Sequence, residues 1–304
     1  MKKYITPDIT AQYYTPHLQQ RFWEPVKDEF VLTHHPCQYN DGWALSWAFP
    51  KRGFRNAVTE TGFFDGASHI DRIGLYLDSS INYRANQKEI KEFKAPRSAQ
   101  EIVQESGWKS KYDQVEIPVR WEGVVLAAQV PFDRSVRAVS TTDEYYDFVR
   151  AACKYYGRHL FLKLHPKQDP GSQHKMMDLA REHNCKCSHA DMSVLDHCKF
   201  LLVHCSTMAM DAFIRGVPVV QYAAGYWTET GAVLYTDGEF ADAPGETVEM
   251  GHKVADWCMW RYCFSHRQPI ERWWDMLRLY AESEELCPLT EEFCYATNTH
   301  WRLD

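Results

Sequence analysis

Residues 199–231 read KFLLVHCSTMAMDAFIRGVPVVQYAAGYWTETG. Residues 200–204 are a short apolar run of strand length, Ser206 is of a type that opens helices, Gly216 after Arg215 is of a type that closes them, and 217–222 is a second apolar run. Strand, tight turn, helix, strand is the repeating unit of a parallel sheet. Such a turn sets Ser206 and Thr207 at the positive end of a helix, where unpaired backbone N–H groups can hold a phosphate. The plainer reading is that Ser206 caps the helix and does nothing more.

The same alternation runs upstream. A strand at 124–128 leads into the loop Gln129-Val130-Pro131-Phe132-Asp133-Arg134-Ser135, and Thr141-Thr142-Asp143-Glu144 is a capping box. The helix it opens places Tyr145, Val149, Ala152 and Tyr156 on one face and stops at Gly157. A strand at 160–164 ends at His165-Pro166, and a helix follows over 172–183. This pattern predicts a parallel sheet with helices on both faces, whose ligands bind beyond the carboxyl ends of the strands.

The first half is different in texture. Apolar runs at 30–32, 43–49, 57–64 and 73–77, separated by turn residues, read as strands of one sheet. Ser98-Ala99-Gln100-Glu101 is a second capping box, and 109–114 reads as a linker. At the far end, 254–264 and 270–282 carry helical patterns, the latter containing Arg272-Trp273-Trp274-Asp275-Met276-Leu277, a face suited to packing back across a domain interface. The division expected is 1–115, 116–255 and a returning helical segment 256–304.

Composition narrows the classes. The 304 residues are 45% hydrophobic, 25% charged and 14% aromatic, values of a globular chain rich in rings. A net charge of −7 leaves nucleic acid only a local basic patch to use. No 18-residue apolar run and no N-terminal leader is evident, which predicts a cytoplasmic protein without an integral membrane segment. Ten cysteines without a framework read as reduced core thiols, and the spacing of Cys185, Cys187, Cys198 and Cys205 is a poor zinc pattern, so no metal is expected.

Three loops leave strand ends with polar groups at their first turn: 129–135, His165-Pro166 and Ser206-Thr207. Loops so placed converge on one cleft, and a His, two hydroxyls and a helix N-terminus suit a nucleotide phosphate without demanding a metal. No Walker-type loop and no G-x-G-x-x-G is present, which argues against a kinase, an ATPase or an ordinary nicotinamide enzyme. Asp133 stands in the first loop and Glu60 at the end of a strand in the other half. Each alone reads as a loop carboxylate or cap. Facing one anomeric carbon at about 5 Å, two carboxylates divide the work of sugar transfer between nucleophile and acid/base.

Glu60-Thr61-Gly62-Phe63-Phe64, His69-Ile70-Asp71-Arg72-Ile73-Gly74-Leu75-Tyr76, Gln129 to Ser135, Lys163-Leu164-His165-Pro166, and Ser206-Thr207 with Arg215-Gly216-Val217-Pro218-Val219 together resemble the bacterial capsule and O-antigen β-Kdo glycosyltransferases. The order of these blocks agrees from about residue 57 to 235. The resemblance implies a GT-B architecture: two Rossmann-like domains facing an interdomain cleft, an N-terminal acceptor-side domain, a C-terminal nucleotide-sugar domain, and C-terminal helices crossing back. It implies a retaining double displacement with Asp133 as nucleophile and Glu60 as acid/base. His165, with Pro166, would meet the donor phosphate, and Gln129, Ser135, Ser206 and Thr207 would line the donor pocket. The donor would be CMP- or UDP-linked and the acceptor a glycan. Two other readings remain open: a phage-type enzyme glycosylating hydroxymethylated pyrimidines in DNA, using Lys51, Arg52, Arg55 and the 88–94 lysines, and a nucleotide- or sugar-binding module without catalysis.

Overall fold

The computed structural model describes residues 31–34, 45–48, 56–64, 66–106, 110, 117–240, 245–265 and 270–297. The described residues divide into two compact units, one drawn from 31–62, 66–80 and 258–297, the other from 63–64 and 81–257.

The first unit is built on strands β1 (Val31–His34), β2 (Leu45–Ala48), β3 (Asn56–Thr61) and β4 (Ala67–Asp71), joined by the late strand β11 (Cys263–Ser265) in the order β1-β2-β3-β4-β11. The first three apolar runs do become strands of one sheet. Every pairing among its described residues is antiparallel, which corrects the expectation of a second Rossmann-like domain. The β3 to β4 connection, residues 62–66, falls short of the roughly dozen residues a parallel crossover needs. Residues 73–77 are not a strand either. Asp71 Oδ1 accepts from the Ile73 and Gly74 N–H groups at 2.8 and 3.2 Å, turning the chain into a 3-10 turn, Tyr76–Asp78. The late helix Ile270–Glu282 forms over the residues its pattern predicts, and its Tyr280 hydroxyl donates to the Ile70 carbonyl at 3.0 Å.

The second unit opens with helices α1 (Arg84–Glu92) and α2 (Ala99–Ser106), the latter begun by the reciprocal Ser98–Glu101 box. Its sheet comprises β5 (Val124–Ala127), β6 (Leu160–Lys163), β7 (Lys186–Ser188), β8 (Phe200–Val203), β9 (Val219–Gln221) and β10 (Leu234–Tyr235). The order is β10-β9-β8-β5-β6-β7, parallel throughout. The central strands VVLA, LFLK and FLLV are buried on both faces, as a covered parallel sheet requires. Helices α3 (Arg134–Arg137), α4 (Thr142–Tyr156), α5 (Pro170–Glu182), α6 (Ala209–Arg215) and α7 (Thr247–Trp257) complete the unit.

One face of the sheet offers Val124, Leu126, Leu160, Leu162, Phe200 and Leu202 to Tyr145, Phe148, Val149 and Ala152 of α4 and to Met176 and Leu179 of α5. Alternation turns Val125, Phe161 and Leu201 to the other face, and α6 packs on β8 and β9 and against α7. The capping box at Thr141 and Glu144 is present in both directions. Gly216 closes α6 in the left-handed region, φ 69°, where a Cβ would be strained.

Two expectations shift. The helix after Ser206 begins only at Ala209, with Ser206 Oγ accepting from the Met208 N–H at 3.1 Å in the turn before it. Residues 254–264 are not one helix: α7 ends at Trp257, Cys258–Tyr262 forms a π-helical turn, and Cys263–Ser265 pairs with β4. The β4 edge supplies a hydrogen-bonding partner that helix propensity cannot anticipate. The proposed linker at 109–114 lies, apart from Ser110, outside the described residues, as do Lys51, Arg52 and Arg55. Among the described residues no helix is long and apolar enough to cross a membrane.

Candidate active site

In a doubly wound sheet the ligand crevice opens where successive crossovers turn opposite ways. Here that point lies between β5 and β8: from β5 the chain proceeds to β6 on one side, and from β8 to β9 on the other. Ala127 pairs with both Lys163 of β6 and Val203 of β8. Gln129, His165 and Cys205 therefore each stand two residues past the same rung, on three neighbouring strands about 4.8 Å apart.

Hydrogen bonds tie the two central loops together. The Cys205 backbone N–H donates to Gln129 Oε1 at 3.2 Å, Gln129 Nε2 donates to Ser135 Oγ at 3.1 Å, and Ser135 Oγ donates to Asp133 Oδ1 at 2.7 Å. The Ser135 backbone N–H reaches the same Oδ1 at 2.9 Å, making Asp133 the N-cap of α3. Because the serine oxygen accepts from Gln129, its single proton is directed to the carboxylate. Asp133 is exposed, and its Oδ2 makes no hydrogen bond within the described residues. One oxygen is anchored and the other is available, an arrangement that suits a nucleophile held in one orientation.

Buried groups fix the network from below. Gln129 is 5% exposed, and its backbone N–H donates to the Tyr145 hydroxyl at 2.6 Å. Cys205 Sγ donates to the Ser135 carbonyl at 3.2 Å; burial pushes this thiol up to about 12, so it is no thiolate nucleophile at neutral pH. Ser206 is buried and Thr207 half-buried, one and two residues beyond Cys205. His165 and Pro166 are half-buried, and His165 Nδ1 accepts from the Lys167 N–H at 3.1 Å. Glu60 lies in the other unit, on β3, opposite His69 in register.

Sequence patterns single out Gln129, Asp133, Ser135 and Ser206, and the fold brings these to one sheet end. They do not single out Tyr145 or Cys205, because an aromatic on an apolar helix face and a cysteine at a strand end carry no motif. Of the basic strip, Lys88, Lys91 and Lys94 are exposed on or beside α1, interleaved with Glu89 and Glu92. Among the described residues no three His, Cys, Asp or Glu side chains gather as a metal site.

No protein-family profile matches the chain, and no curated protein matches it. Among solved structures it is similar to the Thermosulfurimonas dismutans KpsC beta Kdo 2,4 transferase, at 15% identity over 64% of this chain and 71% of that one, with a TM-score of 0.45. It is also similar to the beta Kdo 2,7 transferase of the same protein and organism, at 15% identity over 69% and 70%, with a TM-score of 0.42. Both are β-Kdo transferases.

His204, between β8 and Cys205, adds a pH dependence. It is 2% exposed, with ring centroids 5.2 Å from Tyr145, 5.1 Å from Phe148 and 6.1 Å from Tyr222. Its Nε2 lies 3.4 Å from Ser140 Oγ, and its Nδ1 is buried without a partner. Burial pulls the imidazole down to about 4, against the opposing pull of the Glu144 carboxylate. An unfolded histidine takes up its proton near pH 6.5, so stability present above that pH is lost as pH falls toward 4, by about 3 kcal/mol in full. Urea unfolding at pH 7 and pH 4.5 is expected to show a steeper loss for the parent than for His204→Phe; parallel losses would contradict this account.

Proposed function

We propose that the chain is a nucleotide-sugar-dependent glycosyltransferase of GT-B type that retains anomeric configuration. The observation carrying this reading is the chain of donors from the Cys205 N–H through Gln129 and Ser135 to Asp133, placed at the crossover point of the parallel sheet. It holds one carboxylate oxygen and leaves the second for bonding to carbon. The motif order noted in the sequence supports the same reading.

In the first step the free oxygen of Asp133 bonds to the anomeric carbon as the bond from that carbon to the phosphate oxygen breaks. The departing nucleotide takes the electron pair, and His165, Ser206 and Thr207 meet its phosphate with N–H and O–H donors. In the second step Glu60 accepts the proton of an acceptor hydroxyl, whose oxygen displaces Asp133 from the sugar. Two inversions restore the original configuration. The donor is CMP- or UDP-linked, the acceptor is a glycan, no metal takes part, and the enzyme works in the cytoplasm.

A thermal-shift panel of CMP, UMP, UDP, GDP and ADP with their sugar conjugates tests the donor site. At a hundred times its dissociation constant a ligand adds about 2.7 kcal/mol, which raises the midpoint by a few degrees. A response to CMP assigns a Kdo-like donor, and one to UDP or UMP a hexose or pentose. No response to any nucleotide, together with no nucleotide release from the conjugates, would overturn the reading.

A further inference from the structure

The opposite, amino-terminal end of the parallel sheet carries a cavity of about 390 Å³ lined by Trp121, Glu122, Tyr155, Arg158, His159 and Lys199, among others. Doubly wound sheets bind their ligands at the carboxyl end, so nothing in the site described above accounts for it. Its size lies within the range of small-molecule sites, roughly 300–1,000 Å³.

The walls are set in place. Trp121 Nε1 donates to the Val124 carbonyl at 3.0 Å, its ring packs on Phe161 at 5.8 Å, and Lys186 Nζ lies 5.1 Å from its centroid. Behind it, Gly123 lies so close to His159 that a Cβ would fall 2.2 Å from the His159 carbonyl oxygen, so only glycine fits. Lys199 N–H closes this floor by donating to the Gly123 carbonyl at 2.9 Å. Tyr155 is 61% exposed, although its ring is braced edge-on by Tyr156 at 4.7 Å. A large ring so exposed at a cavity mouth is a stacking surface.

Charge selects the ligand. Arg158 and Lys199 are exposed and make no ion pair within the described residues. Glu122 is engaged by Arg120 at 3.2 Å, and the carboxyl end of α4 contributes about half a negative charge. Two free cations against that half charge leave the cavity positive. We infer that this cavity binds a ring-bearing phosphate monoester, its phosphate between Arg158 and Lys199, its ring against Trp121 and Tyr155, and its hydroxyls toward Glu122 and His159.

Calorimetric titration of the full chain with glucose 6-phosphate, CMP and inorganic phosphate tests this. Glucose 6-phosphate carries no base, and Arg158 and Lys199 line the opposite end of the sheet from the proposed nucleotide-sugar site, so a loss in their variants is a loss at this cavity. The ring-bearing probe is expected to bind at least tenfold more tightly than inorganic phosphate, to lose at least tenfold in the double variant R158Q/K199Q and at least threefold in Tyr155→Ala. Asp133→Asn should bind it as the parent does. Glucose 6-phosphate binding lost in the double variant assigns a sugar phosphate, and a second CMP site present in the parent and lost there assigns a nucleoside monophosphate. A double variant that keeps every binding site the parent shows, equal affinity for inorganic phosphate, or no binding by any probe overturns the inference. Thermal midpoints of the variants, all at exposed positions, distinguish lost binding from lost folding.

Discussion

Asp133→Asn is expected to lower sugar transfer by at least about 1,000-fold while leaving folding stability within about 0.5 kcal/mol of the parent. The two parts of this result separate two roles. In the structure Asp133 caps α3 through Oδ1, and asparagine caps a helix about as well as aspartate. A residue that only capped would therefore tolerate the change in both measurements. An amide cannot form the glycosyl ester, so a nucleophile loses turnover with the cap intact. Asp133→Ala removes both and is expected to cost a further ~1 kcal/mol of stability. Transfer by Asp133→Asn at the parental rate, with the nucleotide still bound, would end the double-displacement mechanism and leave the donor site standing.

The second large effect lies in the other unit. Asp71 is fully buried and accepts five hydrogen bonds: Ile73 and Gly74 N–H on Oδ1, and the Ser80 N–H at 2.8 Å, the Ser79 hydroxyl at 2.9 Å and the Tyr262 hydroxyl at 2.6 Å on Oδ2. Tyr262 directly precedes β11, so one carboxylate holds the end of β4, the turn after it and the approach of the late strand. Asp71→Ala leaves these donors without their acceptor and is expected to cost about 4 kcal/mol. Asp71→Asn should cost less. Its amide can turn an oxygen toward one pair, and the Ser79 and Tyr262 hydroxyls can rotate to accept, but the Ser80 N–H cannot. Chemical denaturation followed by tryptophan fluorescence measures both. A loss below about 1 kcal/mol for Asp71→Ala would show that water replaces the carboxylate, contrary to its full burial.

The residues of this hub were visible in the sequence only as part of a motif. His69-Ile70-Asp71-Arg72 marks the position, while the role comes from Tyr262, 191 residues away along the chain. The same division runs through the second unit. Capping boxes at Ser98 and Thr141, the stop at Gly216 and the apolar runs at 124–128, 160–164 and 200–204 were legible because each is set by neighbours within a few residues. The late strand was not, since Cys263–Ser265 is extended only where β4 offers an edge.

For the site, sequence by itself determined which residue types follow the strands: an amide, an acid and a hydroxyl after β5, a histidine after β6, and two hydroxyls after β8. Tertiary structure decided what they do to one another. Strand order places the β5 and β8 exits side by side, and that adjacency lets the Cys205 N–H orient Gln129, Gln129 orient Ser135, and Ser135 hold one oxygen of Asp133. Periodicity and capping are local energies and are written in local sequence. Strand adjacency depends on burying both faces of one sheet at once, a sum over the whole unit that no short stretch contains.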